Sequence, residues 1–172
     1  MATIPDDLVR HHLWATATLI DFCASQDTNA LETRVAGTYG SAIDTLRHLI
    51  DAEMAYLFRL TGAWDDRPWV SGEPVSLDTL ANRAAILAEA LLAYCAGDPH
   101  PDVPGGDRGE VFSVPAGLFL AQVFHHANMH RGQVCTQLGA QGIDVPDLSA
   151  WDYAIETGRS TVACIIRAIS PD

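Results

Sequence analysis

The chain has 172 residues, 48% of them hydrophobic, which suits one domain with a buried core and excludes a disordered chain. Its net charge is −12 and all ten of its basic residues are arginine, which argues against partners such as nucleic acid or an anionic membrane surface. No apolar run reaches the roughly 18 residues of a membrane span, no basic segment precedes Asp6 and Asp7 as a secretory signal requires, and the four cysteines form no CxxC pair, so a cytoplasmic protein with reduced thiols is expected.

In chain order, Thr3, Pro5, Asp6 and Asp7 open a first helix that the spacing of Leu8, His12 or Leu13, Ala15, Leu19 and Phe22 carries to about Ser25. Residues 26–40 are polar, contain Gly37 and Gly40, and read as a loop. A second helix is predicted from Ser41 to Thr61, ended by Gly62, with Ser41 and Asp44 resembling a capping box. Ile43, Leu46, Ile50 and Leu57 form its apolar stripe. His48 points the other way, with Asp44, Ala52, Ala55 and Tyr56. Turn formers with Trp64 and Trp69 fill Ala63 to Pro74. Ser76 caps a third helix through Leu80, Ala84, Leu87, Leu91 and Leu92 to about Cys95.

Residues 96–113 hold four glycines and three prolines. They read as a long connection with a short hairpin about Gly105-Gly106, of a length that suits a cover over a site. A fourth helix starts at Ser113 or Val114, with Pro115 near its first turn, and ends before Gly142. Ser149 caps a fifth, through Trp151, Ile155, Val162, Ile165, Ile166 and Ile169, with a weak spot at Gly158. These elements predict an all-α fold: an up-and-down four-helix bundle with an additional C-terminal helix, in one domain over residues 1–172.

The chemistry concentrates in the fourth helix, where Phe124-His125-His126-Ala127-Asn128-Met129-His130-Arg131-Gly132-Gln133 places three histidines in six residues. His126 and His130 are four apart and stack on one face. Two imidazoles so placed can grip one metal ion, and His48 in the second helix offers a third ligand. Three histidines leave a tetrahedral ion one open position, the mark of a catalytic site. Phe119, Gln122, Gln133 and Gln137 share the face of the pair, and the nearer glutamines can orient the imidazoles. His125 lies about 100° from His126 on a helix and reads as a non-ligand.

Trp14, the stretch Thr45-Leu46-Arg47-His48-Leu49-Ile50-Asp51-Ala52-Glu53 and the segment His126-x-x-x-His130-Arg131-Gly132-Gln133 resemble the DinB/YfiT-like family, a group of proposed metalloenzymes. The resemblance spans residues 5 to 168, and the second histidine segment is its specific part. It implies a four-helix bundle, often a homodimer, holding a divalent metal by His48, His126 and His130. It also implies either transfer of a low-molecular-weight thiol of the mycothiol or bacillithiol type, or a related thiol-dependent isomerisation. Many members have no known activity.

Three neutral imidazoles leave a metal its full double charge, so a small-molecule thiol in the open position ionises near neutral pH and attacks an electrophile. Water in that position makes the site a hydrolase, and a bundle that binds metal without turnover also stands open. Zn is the first expectation for the ion, with Ni, Fe or Mn as alternatives. Arg131 lies about 140° from His126 and reads as a structural salt-bridge partner. Arg47 is ambiguous. Asp51 falls on the His48 side and Glu53 does not. Cys135, about 180° from the pair, reads as a buried cysteine rather than a nucleophile.

Overall fold

The computed structural model describes residues 4–61, 75–97, 102–105 and 112–160. The expected loop after Ala63, with Trp64 and Trp69, and the helical stretch from Val162 to Ile169 lie outside the described residues. The elements are α1 (Ile4–Ala24), α2 (Thr28–Glu32), α3 (Ala42–Thr61), α4 (Leu77–Ala96), β1 (Asp102–Gly105), β2 (Phe112–Pro115), α5 (Ala116–Gly139) and α6 (Ala150–Glu156). The all-α bundle expected from the sequence is thus formed by α1, α3, α4 and α5.

Local chemistry sets the helix ends. Ser41 and Asp44 form a reciprocal box: Asp44 N–H donates to Ser41 Oγ at 3.2 Å and Ser41 N–H to Asp44 Oδ2 at 3.3 Å. Such a cap is worth about 1 kcal/mol. It also needs a glycine before it, since a Cβ on Gly40 would stand 2.9 Å from Asp44 Cβ. Ser76 and Ser149 cap α4 and α6 as expected, accepting from Thr79 N–H and Asp152 N–H.

Three boundaries differ from the sequence reading. The polar stretch after α1 contains α2, held by the Asp27 side chain at its N-terminus and by buried Leu31. Residues 113–115 pair with β1 as an antiparallel strand, so α5 starts at Ala116 with Pro115 as its cap. The short hairpin expected about Gly105-Gly106 is formed by β1 and β2, with Gly105 paired to Phe112. Finally α6 stops at Glu156, because Gly158 takes φ +67° and Arg159 N–H returns to Ala154 C=O.

The four long helices form a ring in the order α1, α4, α3, α5. Their directions follow from what they share. Arg47 donates to Val75 C=O and Asp51 pairs with Arg83, so α3 and α4 run parallel. One apolar cluster joins Leu19, Leu46, Leu80 and Leu138, and a second joins Val9, Leu60, Leu91 and Phe119. The helices therefore run up, down, down, up. The expected alternation holds for α1 to α3 and for α4 to α5 but not between α3 and α4. Between the two clusters lies a polar layer of His12, Thr16, Glu53 and Arg131, all buried.

α6 docks on α1 through Trp14 Nε1–H to Glu156 Oε2 at 3.2 Å, packing of Trp14 on Tyr153, and an Arg159–Asp7 ion pair. Among the described residues no helix is long and apolar enough to cross a membrane.

Candidate metal centre

α5 and α3 run antiparallel beside each other, and this brings His48 opposite the His126–His130 pair. The ring centroids are 4.4 Å apart for His126–His130, 4.7 Å for His48–His130 and 5.2 Å for His48–His126. One ring nitrogen from each histidine lies within 4.8 Å of the others. Two segments far apart in the sequence thus converge on one point, as the sequence reading required. Among the described residues this is the one group of three or more His, Cys, Asp or Glu so placed.

The surroundings fix the rings. His130 Nδ1 and Gln133 Oε1 are 2.9 Å apart. An amide oxygen only accepts, so the His130 proton sits on Nδ1 and its Nε2 carries a free lone pair. Tyr39 N–H donates to the same Gln133 oxygen at 3.4 Å, and the Tyr39 ring stacks on His48 at 4.0 Å. Tyr39 is 56% exposed and covers the outer side of the centre. On the inner side Tyr56 stands edge-on to His126 at 5.6 Å.

Burial, followed by the neighbouring imidazoles, lowers the pKa of His126 to about 4. Burial, followed by His130, lowers that of His48. Both rings are therefore neutral at pH 7, with lone pairs to give. Their depressed pKa values also set the acid behaviour of the metal-free protein. The unfolded chain binds protons on these groups below about pH 6.5, while the folded chain resists down to about pH 4 at His126. Stability is therefore expected to be lost as pH falls through that window. The urea midpoint should be lower at pH 5 than at pH 7, with a smaller drop in His126→Ala. An equal drop in both proteins would remove His126 from the account.

Residues 11–134 match the DinB superfamily, a span that contains all three histidines. The chain belongs to the DinB superfamily. No curated protein and no solved structure gives a significant match.

The remaining polar residues of this DinB-superfamily chain separate into those at the centre and those away from it. Gln133 orients a histidine as expected, whereas Gln122 is exposed and Gln137 is buried in a different role. His125 is exposed and outside the cluster. Asp51 pairs with Arg83 at 3.3 Å and Arg47 donates to Val75 C=O. Cys135 is half-buried, and burial raises its thiol pKa, which suits a packed cysteine. Arg131 is buried and donates to Thr16 Oγ1 at 2.8 Å and His12 C=O at 3.3 Å, so its direct partners are hydrogen-bond acceptors rather than a carboxylate.

Two residues near the centre escaped the sequence reading. Tyr39 lies in a loop whose path no periodicity reveals. Glu53 was placed off the site, yet it is buried, and its charge acts on His126. Its signal was present: Leu46, Leu49, Ile50 and Leu60 are fully or nearly fully buried, and Glu53 interrupts that stripe.

The donor set fits a borderline divalent cation. Three neutral imidazoles with mutually close nitrogens suit Zn, Ni, Fe or Mn. A tetrahedral ion with bonds of about 2.05 Å sets nitrogens about 3.3 Å apart, within reach of small ring rotations from the spacing observed. His126 Nδ1 is buried without a hydrogen-bond partner, so this ring has a nitrogen that the protein itself leaves unsatisfied.

Proposed function

We propose that His48, His126 and His130 hold one divalent metal ion, Zn first among the candidates, and that the protein transfers a low-molecular-weight thiol to an electrophilic substrate. The observation that carries this reading is the convergence of three ring nitrogens, from two sequence-distant helices, within 4.8 Å. A bound cation supplies charge that lowers the pKa of a thiol or water beside it.

The chain's own residues do the rest. The three imidazoles bind as neutral ligands, since burial keeps His48 and His126 unprotonated at pH 7. Gln133 holds the His130 proton on Nδ1 and thereby leaves Nε2 as the ligand atom. Tyr39 and Tyr56 brace the rings from outside and inside. In keeping with the family resemblance, the working unit is proposed to be a homodimer, and its free thiols suit action in the cytoplasm.

The test is turnover. Metal-loaded protein is mixed with mycothiol or bacillithiol and monochlorobimane, and adduct fluorescence is followed. Adduct should form faster than with metal-free protein. No difference between the two would overturn the transferase reading. Product formed from an ester or amide substrate with no thiol present would assign hydrolysis to the same residues instead.

A further inference from the structure

The buried polar layer between the two apolar clusters has no part in the function so far described. His12 is 3% and Glu53 5% exposed, and Glu53 is the one buried carboxylate among the described residues. Burying a charge costs free energy unless something compensates it, and an apolar residue would pack this layer without that cost.

The layer has a defined polarity. Arg131 Nη1 approaches His12 Nδ1 at 3.4 Å while donating to Thr16 Oγ1 at 2.8 Å. A guanidinium only donates, so His12 Nδ1 presents its lone pair and the His12 proton sits on Nε2. That Nε2 faces Glu53 Oε1 at 3.2 Å. Arg131 and Glu53 thus stand on opposite sides of the His12 ring. Neither His12 Nε2 nor Glu53 Oε1 completes a well-aligned hydrogen bond. His12 and Glu53 both line a small cavity of about 10 Å³, shared with Tyr56, Leu57 and Val123. Tyr56 is also the residue edge-on to His126, so the cavity and the histidine centre share a wall.

We propose that Glu53 is the counter-charge of the histidine centre: a positioning residue that strengthens binding of a divalent cation from outside its ligands. The inference rests on reading the three histidines as metal ligands. Three neutral imidazoles bring no negative charge, so both charges of the cation are left to the surroundings. Glu53 supplies one of them from the protein interior, where water screens it little. The Arg131 guanidinium, across the His12 ring, partly balances the carboxylate while no cation is bound, which is why it can stay buried.

The test is cobalt(II) binding at pH 7, followed by visible absorption, with urea unfolding of the metal-free proteins alongside. Glu53→Gln keeps the shape and removes the charge. It should bind cobalt at least about tenfold more weakly than wild type, the scale of losing an outer partner of a metal site. Glu53→Asp, which keeps the charge, should restore affinity toward wild type. A residue that only holds α1 to α3 would lower the urea midpoint and leave the affinity of folded protein unchanged; that result overturns the proposal. Should Glu53→Gln fail to fold, Glu53→Gln/Arg131→Gln removes both buried charges together and is titrated in its place. Against Arg131→Gln alone it should bind about tenfold more weakly, and equal affinity in those two variants would count against Glu53. Wild-type protein that takes up no cobalt sinks the metal reading and this inference with it, whereas wild-type binding matched by the variant sinks this inference alone.

Discussion

Replacing His126 with alanine is expected to abolish stoichiometric metal uptake while leaving the bundle folded. The three ring nitrogens within 4.8 Å of one another belong to two helices, and His126 and His130 supply both contacts from α5. Removing one leaves two imidazoles on different helices, without the chelate that the i, i+4 pair provides. The loss in affinity should exceed the roughly 10–100-fold caused by changing an outer partner. Elemental analysis of protein purified without an affinity tag should find about one metal per wild-type chain at a single three-ligand site, and a small fraction of that in His126→Ala. The fold should survive because His126 is only half-buried and the apolar clusters lie elsewhere. A thermal scan gives an independent reading. A ligand that binds only the native state raises stability in proportion to the logarithm of its concentration over Kd. Added zinc should therefore raise the Tm of wild type and hardly move that of the variant. Equal metal content in the two proteins would show that these histidines are not what holds the ion.

Much of this centre was legible because it obeys helical periodicity. The pairing of His126 with His130 follows from four-residue spacing alone. The arrival of His48 does not, since no local rule fixes which helices become neighbours. There the resemblance of two sequence segments to one family did what periodicity could not. The bundle was legible for the same reason as the pair: apolar stripes recur every three or four residues in α1, α3, α4 and α5. Its up-down-down-up course was not, because a stripe has no direction. Only contacts such as Arg47 with Val75 reveal it.

The polar layer shows a different kind of limit. His12, Glu53 and Arg131 each interrupt an apolar stripe: Val9-x-x-His12, Ile50-x-x-Glu53 and Arg131-x-x-Val134. One interruption reads as a solvated edge of the helix. Three of them at the same height, on three helices that run in two directions, become a layer only once the helices are stacked. Tyr39 illustrates the loop case. Its place over His48 depends on hydrogen bonds made by residues near it, not on any repeat.

Those hydrogen bonds lead to the second large expected effect, at Gln137. This side chain is fully buried on α5. Its Nε2 donates to Thr38 Oγ1 at 2.7 Å and to Gly40 C=O at 2.5 Å, and lies 3.5 Å from Thr45 Oγ1. It therefore pins the segment between α2 and α3, where Gly37 takes φ +88°, directly against the bundle. Tyr39 sits between the two pinned residues. Gln137→Ala removes these bonds and leaves a cavity, so a loss of about 3 kcal/mol is expected from urea unfolding. Gln137→Leu should cost much less, about 1 kcal/mol. It refills the volume and also removes Gln137 Oε1, which has no partner in its buried position. Thr38 Oγ1 still has Val35 C=O and Gly40 C=O as acceptors, so little is left unsatisfied by the leucine. In both variants the Tyr39 and Gly40 amides should exchange with solvent faster than in wild type, because the tie between loop and α5 is gone. Unchanged exchange at Tyr39 alongside a large stability loss would mean that the loop is held over His48 by the ring stack and the Gln133 contact, and not from Gln137.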